Sequence, residues 1–145
     1  MGLLESSDSL RQEHSEILRL TENFTDALAL AGSDDFTARQ RGLTELRTLR
    51  PALVGISRHC CCDAGLVDPS YRPYVNDEKF GQMDTQHKVI HRLVQSFLRE
   101  LLYATADSIQ EAAPLGEELA GQIREHIAYE EELLDSIEEL CAVTT

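Results

Sequence analysis

The chain has 145 residues, of which 42% are hydrophobic and 27% are charged, and these proportions are ordinary for a globular protein. This length fits a single domain, residues 1–145, that can bury a hydrophobic core without needing disulfide bonds or a structural metal for stability. The net charge of −13 argues against nucleic acid as a partner, because nucleic-acid-binding proteins carry basic patches. No apolar run is long enough to span a bilayer and no signal peptide is recognisable, so we expect a cytoplasmic protein with no membrane partner.

Helical periodicity dominates the chain, and no alternating β-branched run or hairpin-turn signal predicts a strand. In chain order the apolar stripes predict helices over residues 9–31, 33–63, 77–106 and 115–141. Gly32 should end the first helix, and Pro51 should kink or restart the second. A loop is expected over 64–76, and a short link is expected around Ala112 and Pro114. Four long helices with short links predict an all-α fold, an up-down-up-down four-helix bundle.

All histidines of the chain fall on the apolar stripes of these helices: His14, His59, His87, His91 and His126. Three helices carry a second possible ligand four residues later, in the pairs His59/Asp63, His87/His91 and His126/Glu130. Because residues four apart on a helix lie on the same face, each pair can bind one metal ion or two adjacent ions. Helices that direct imidazoles and carboxylates inward at one level can build a two-metal centre in the core of a bundle.

Metal binding also explains why so many polar groups face a predicted core. Imidazoles and carboxylates without partners in an apolar core would each cost roughly a few kcal/mol. Mixed imidazole and carboxylate ligands suit iron, manganese or zinc, and not calcium, which prefers oxygen ligands. The candidate ligands outnumber the four of one structural zinc site, so two metal ions are the simpler interpretation.

Four motifs stand in a fixed order over nearly the whole chain: Gln-Glu-His-Ser-Glu around His14, His59 with a carboxylate four residues later, His87-Lys-Val-Ile-His91, and His126-Ile-Ala-Tyr followed by three glutamates. In this combination and order they resemble the hemerythrin family. The resemblance implies a non-heme di-iron centre, with an oxo or hydroxo bridge, inside a four-helix bundle. It also implies a small diatomic ligand, since the respiratory members of the family bind dioxygen reversibly at one iron.

Carried over by position, the resemblance implies two sets of histidine ligands. One iron would be held by His87, His91 and His126. The other iron would be held by His14 and His59, which leaves an open position for a small ligand.

The resemblance further implies two bridging carboxylates, Asp63 and one glutamate of the fourth helix. The family places the latter four or five residues after its last histidine, so Glu130 and Glu131 both qualify. Periodicity favours Glu130, because it lies in the apolar stripe while Glu131 is turned about 100° away. The family usually has glutamate at the position of Asp63, and the shorter aspartate would bridge well only if the backbone lies closer.

Three consecutive cysteines, Cys60, Cys61 and Cys62, stand beside the candidate ligand His59. They are too few and too clustered for a disulfide framework, so we expect reduced thiols. The simpler interpretation is that three small apolar residues fill a crowded seam. The alternative is a thiol, Cys60 in particular, that ligates the metal or reacts with an oxidant.

Two further polar residues stand near the predicted ligands. Tyr129 could hydrogen-bond a bridging oxygen, although packing is the simpler role for a tyrosine in a bundle. Asp84 occupies a seam position one turn before His87 and could accept a hydrogen bond from an imidazole N–H.

The leading functional hypothesis is a di-iron protein that carries, stores or senses dioxygen or nitric oxide. A second hypothesis is an enzyme in which the same centre reduces peroxide or nitric oxide, with the cysteines as reductant. A third is a regulatory module that reports iron or oxygen levels through a change in stability. Manganese or zinc would suit the same ligands, and sequence does not decide between these metals and iron.

Overall fold

The computed structural model describes the backbone of residues 3–61 and 72–144, and the side chains of residues 7–59, 73–140 and 142. In these ranges every regular element is helical, in the order α1 (Leu3–Ala31), α2 (Phe36–Thr48), α3 (Arg50–Cys61), a 3-10 turn (Arg72–Tyr74), α4 (Asp77–Tyr103) and α5 (Ile109–Thr144). The prediction of an all-α protein is confirmed, whereas the four-helix bundle with a metal centre stays a prediction. Among the described helices, none is long and apolar enough to cross a bilayer.

Short polar side chains set the first residues of α2 and α4. The carboxylate of Asp35 accepts a hydrogen bond from the backbone N–H of Ala38 at 2.9 Å. The amide oxygen of Asn76 accepts one from the backbone N–H of Lys79 at 2.8 Å. Such caps satisfy amides that have no acceptor within the first turn of a helix.

The helix predicted to kink or restart at Pro51 is divided into α2 and α3, which only Leu49 separates. Pro51 is the second residue of α3, where a missing N–H is tolerated because the first amides of a helix have no intrahelical acceptor. The backbone N–H of Leu49 closes α2 by donating to the carbonyls of Glu45 and Leu46 at 3.0 and 3.2 Å. The restart at this proline is therefore confirmed.

The link predicted around Ala112 and Pro114 is wrong, because α5 already begins at Ile109 and continues through Pro114. The actual link consists of residues 104–108. Within it the N–H of Thr105 donates to Oγ of Ser108 at 2.8 Å, and the N–H of Ser108 donates to Oγ1 of Thr105 at 3.3 Å. These two hydrogen bonds form a turn directly before α5. Pro114 then removes only one amide hydrogen bond close to the helix start, which the packing of α5 outweighs.

The helices pack as neighbours, with α1 against α2 and α5, and α4 against α3 and α5. The backbones of α1 and α2 approach each other closely at Gly42, where a Cβ atom would lie 2.5 Å from the backbone nitrogen of Ala31. Across the core, the rings of Phe24 and Phe97 meet edge to face with centres 5.2 Å apart. This packing leaves the inward faces of the described helices in contact with one interior.

Two apolar clusters occupy that interior, and a polar layer lies between them. Three helices run from the smaller cluster to the larger one, through the pairs Leu10/Ile17, Met83/Ile90 and Leu133/Ile127. About midway between the members of each pair stands a buried polar residue: His14, His87 and Glu130. The fold thus places polar groups of several helices at one level, with apolar side chains on both sides.

Candidate metal centre

Five buried side chains converge in the polar layer: His14 of α1, His59 of α3, His87 of α4, and His126 and Glu130 of α5. None of them is more than 4% exposed. Oε1 of Glu130 lies 2.6 Å from Nε2 of His126, 3.0 Å from Nε2 of His59 and 3.4 Å from Nε2 of His14. The ring of His87 packs beside that of His126, with centres 4.5 Å apart. The structure therefore brings together five of the residues predicted to bind metal.

These side chains form two overlapping groups that share Glu130. In the first group, one ligand atom each of His14, His59 and Glu130 lies within 4.8 Å of the others, and in the second the same holds for His87, His126 and Glu130. Atoms this close to one another can reach a common cation, and a carboxylate that belongs to two such groups can bridge two cations. The five buried residues could therefore hold metal ions.

Four buried ring nitrogens of the site have no hydrogen-bond partner among the described residues: Nδ1 and Nε2 of His14, Nε2 of His87 and Nε2 of His126. Two of them approach Glu130 closely but without the alignment of a hydrogen bond. An unsatisfied buried nitrogen costs about 1–3 kcal/mol, and native structures contain few of them. Imidazole nitrogens clustered with a carboxylate are a ligand set that fits a first-row transition metal.

Two further residues hold the histidines from outside the cluster. Oε1 of Glu13 on α1 lies 2.7 Å from Nδ1 of His59 on α3, and Oε1 of Gln86 on α4 lies 2.8 Å from Nδ1 of His126 on α5. Because both oxygens are acceptors here, each Nδ1–H donates outward and each Nε2 faces Glu130. Histidines that ligate metals usually have such an outer partner, which fixes the orientation of the ring.

Sequence reasoning missed Glu13 and Gln86. Each directly precedes a histidine of the stripe, His14 and His87 respectively, and is turned about 100° from it. That rotation directs each side chain to the histidine of a neighbouring helix rather than to its own. A long polar residue immediately before a stripe histidine is the signal that could have identified them.

Glu131 lies at the edge of the site and belongs to neither group of candidate ligands. Its Oε2 accepts a hydrogen bond from Nη1 of Arg11 at 2.7 Å, and its Oε1 lies 3.6 Å from Nδ1 of His14. Arg11 also pairs with Asp135 at 2.7 Å, so it ties α1 to α5 one turn from the site. Of the two glutamates left open by the sequence, Glu130 is the one that lies among the histidines.

The structure does not bring His91 into either group. Its Nδ1 lies 2.6 Å from Oγ of Ser57 on α3, and its Nε2 lies 3.1 Å from the amide nitrogen of Gln95. Four residues advance a helix by about 400°, so His91 is rotated about 40° from His87 and faces α3. The assignment of His91 as an iron ligand stays a prediction, and these contacts do not support it.

Several predicted participants lie outside the described residues or point elsewhere. Asp63 is outside the described residues, and the side chain of Cys60 is not described either. The hydroxyl of Tyr129 donates to the backbone carbonyl of Lys79 at 3.2 Å. The carboxylate of Asp84 pairs with the ammonium group of Lys88 at 3.0 Å on an exposed side of α4. This contact is with a lysine and not with the imidazole N–H that the sequence suggested.

Burial and neighbouring charges shift the pKa values of the site. Burial lowers the pKa of His59, but hydrogen bonds with Glu13 and Glu130 outweigh it and raise that pKa to about 9. Burial and the adjacent His126 lower the pKa of His87 to about 4. Burial opposes ionisation of Glu130, yet its close contacts with His126, His14 and His59 hold its pKa well below the usual range. The carboxylate at the centre of the site is therefore an anion, as a cation site requires.

No family model matches the chain, and neither a curated protein nor a solved structure matches it. The resemblance to the hemerythrin family therefore depends on the ligand motifs and their order alone. What the structure adds is independent of that resemblance: two groups of buried ligand atoms that share one carboxylate.

Proposed function

We propose that the protein is a non-heme di-iron protein that reversibly binds dioxygen, or another small diatomic molecule such as nitric oxide, for storage, transport or sensing. The observation that carries the proposal is the buried carboxylate of Glu130, which belongs to both candidate ligand groups. In the proposed architecture, an up-down-up-down four-helix bundle, α2 and α3 together form the second helix.

In this proposal one iron is held by His14 and His59 and the other by His87 and His126, with Glu130 shared. The unpaired buried nitrogens support this assignment, because metal binding would satisfy one nitrogen on each of the rings of His14, His87 and His126. Three protein ligands per ion are fewer than such metals usually take, so positions remain for a small ligand. Bound iron would supply a redox-active centre with affinity for dioxygen and nitric oxide.

The residues around the ligands favour reversible binding over reaction. Apolar clusters lie on both sides of the polar layer, and they keep bulk water and its protons away from a bound molecule. Glu13 is held ionised by its hydrogen bond with His59, which lowers its pKa, so it is not a proton donor at neutral pH. The hydroxyl of Tyr129 is engaged by the carbonyl of Lys79.

The second candidate is a di-iron enzyme that reduces peroxide or nitric oxide. It is favoured by the position of Cys60, which directly follows His59 on α3. In that case the thiol would be the reductant, and Cys60→Ser would abolish turnover while the metal content stayed unchanged.

The test is to purify the protein without chelator, count the metal ions per chain, and record the visible spectrum of the reduced protein before and after admitting air. We expect two irons per chain and an oxygen-dependent absorption that disappears again when oxygen is removed. Two irons that oxidise irreversibly would favour the enzyme. One zinc ion per chain, or no metal, would refute the di-iron proposal.

A further inference from the structure

Two neighbouring helical segments of this acidic protein contain no acidic residue. The chain has 26 aspartates and glutamates and a net charge of −13. Neither α3 nor residues 85–99 of α4 contains any of them, although these segments carry a set of exposed basic residues: Arg50, Arg58, Lys88, Arg92 and Arg99. Because α3 packs against α4, positive charge accumulates along this pair of helices. An anionic ligand would be attracted here and repelled by most of the remaining surface.

Most of these basic residues have no carboxylate partner in the part of the chain that the structure describes. Lys88 pairs with Asp84, but Arg50, Arg58, Arg92 and Arg99 form no ion pair with another described residue. Elsewhere in the described part of the chain, several arginines do form ion pairs with carboxylates: Arg11, Arg19, Arg39 and Arg41. The four arginines along α3 and α4 are exposed, so an anion from solution can contact them.

A cavity of about 360 Å³ opens between the same two helices. Its apolar lining consists of Val54, Val94 and Leu98. Its polar lining consists of Ser57, Arg58, His91 and Gln95. Pockets of this size that combine an apolar lining with a few polar groups are typical of sites for small molecules.

The polar lining contains a buried hydroxyl, that of Ser57, a residue that is only 8% exposed. Its Oγ lies 2.6 Å from Nδ1 of His91, and Nε2 of His91 lies 3.1 Å from the amide nitrogen of Gln95. A serine hydroxyl can both donate and accept hydrogen bonds. A hydroxyl that lines the same cavity as the guanidinium of Arg58 suits a carboxylate.

We propose that the cavity between α3 and α4 binds a small aliphatic carboxylate. The guanidinium of Arg58 and the hydroxyl of Ser57 hold the carboxylate, and the apolar lining contacts the hydrocarbon tail. The site is separate from the candidate metal centre, because its histidine, His91, belongs to neither ligand group. The proposal therefore stands or falls independently of the metal content.

The test is calorimetric titration of the purified protein with three probes: octanoate, 1-octanol and acetate. Octanoate should bind with a Kd on the order of 0.1 to 1 mM. 1-Octanol and acetate should bind more weakly, because each lacks one of the two features that the cavity recognises. Arg58→Gln should weaken octanoate binding by about tenfold and leave 1-octanol unchanged, since only the charged hydrogen bond is removed.

Two variants make the test specific. Arg41→Gln changes the net charge equally but lies on α2, where Arg41 pairs with Glu45, so it should bind octanoate as the wild type does. Val54→Phe should fill the cavity and weaken both octanoate and 1-octanol, with an unchanged helical circular dichroism spectrum. Absence of octanoate binding to the wild type would overturn the proposal. So would equal octanoate affinity of Arg58→Gln and the wild type, which would indicate binding at another place such as the metal ions.

Discussion

Oε1 of Glu130 lies 2.6 Å from Nε2 of His126, one helical turn earlier on α5, and both side chains are fully buried. The spacing of four residues produces this contact within one helix. The contacts of the same oxygen with His59 and His14 are made across helices, at 3.0 and 3.4 Å. Glu130 is therefore the residue on which both candidate ligand groups depend.

The first prediction compares Glu130→Gln with Glu131→Gln. Glutamine keeps the shape of the side chain but lacks its charge, so Glu130→Gln should weaken metal binding at least about 100-fold, more than loss of an outer hydrogen bond does. Glu131→Gln should still bind two ions per chain, because Glu131 pairs with Arg11 at the edge of the site. Metal analysis after loading and gel filtration measures both. Full loading of Glu130→Gln, or loss of metal from Glu131→Gln alone, would show that Glu130 is not the shared carboxylate.

The second prediction separates the two histidines of α4. His87→Gln should lower the metal content from two ions to one, because His87 belongs to a ligand group with His126 and Glu130. His91→Gln should keep both ions, because the nitrogens of His91 bond to Ser57 and Gln95. Metal analysis of the two variants decides, with circular dichroism as the check on folding. If His91→Gln lost an ion and His87→Gln did not, His91 would be a metal ligand, as the resemblance implies. The ligand group of His87, His126 and Glu130 would then be wrong.

Much of the candidate site could be predicted from the sequence because its ligands occupy the same inward stripes as the apolar core. A stripe records which face of a helix is buried, so it located His14, His59, His87, His126 and Glu130 correctly. The stripe covers too wide an angle to distinguish His87 from His91, because the two residues differ by only about 40° of rotation around the helix. Which neighbouring helix each histidine faces depends on tertiary packing.

The residues that the sequence did not identify lie off the stripes. Glu13 and Gln86 act on histidines of other helices, 46 and 40 positions away in the chain. Helical periodicity cannot show such pairs, because it contains no information on which helices are adjacent. The misplaced link near Pro114 has a different cause: the hydrogen bonds between Thr105 and Ser108 begin a helix that then tolerates a proline.

The third prediction tests the outer hydrogen bond of His126. Gln86→Leu should lower metal affinity by about 10- to 100-fold, because the ring of His126 loses the acceptor that orients it. At saturating metal the variant should still bind two ions, since no ligand is removed. Gln82→Leu, an exposed position one turn earlier on α4, provides the matched control and should bind metal as the wild type does. Competition with a chelator of known affinity measures the difference, and equal affinities of the two variants would exclude an orienting role for Gln86.

The fourth prediction concerns protons. A histidine must be deprotonated to ligate a metal, and in the protein without metal the pKa of His59 is raised to about 9. His59 is therefore protonated near pH 7, and metal binding should release about one proton from it. His87, with its pKa lowered to about 4, should release none at that pH.

Metal affinity should therefore depend on pH. Metal affinity should rise by about tenfold per pH unit from about pH 7, as protons compete less for His59, and should level off above about pH 9. The stabilisation that protonated His59 gives the metal-free fold has the opposite trend, since it is complete below about pH 6.5 and is lost as the pH rises through about 9. Calorimetry in buffers of different ionisation enthalpy counts the released protons. Glu13→Gln should release fewer near pH 8, because removing this carboxylate lowers the pKa of His59. A proton count that does not depend on Glu13 would show that the hydrogen bond between Glu13 and His59 does not control the protonation of this ligand.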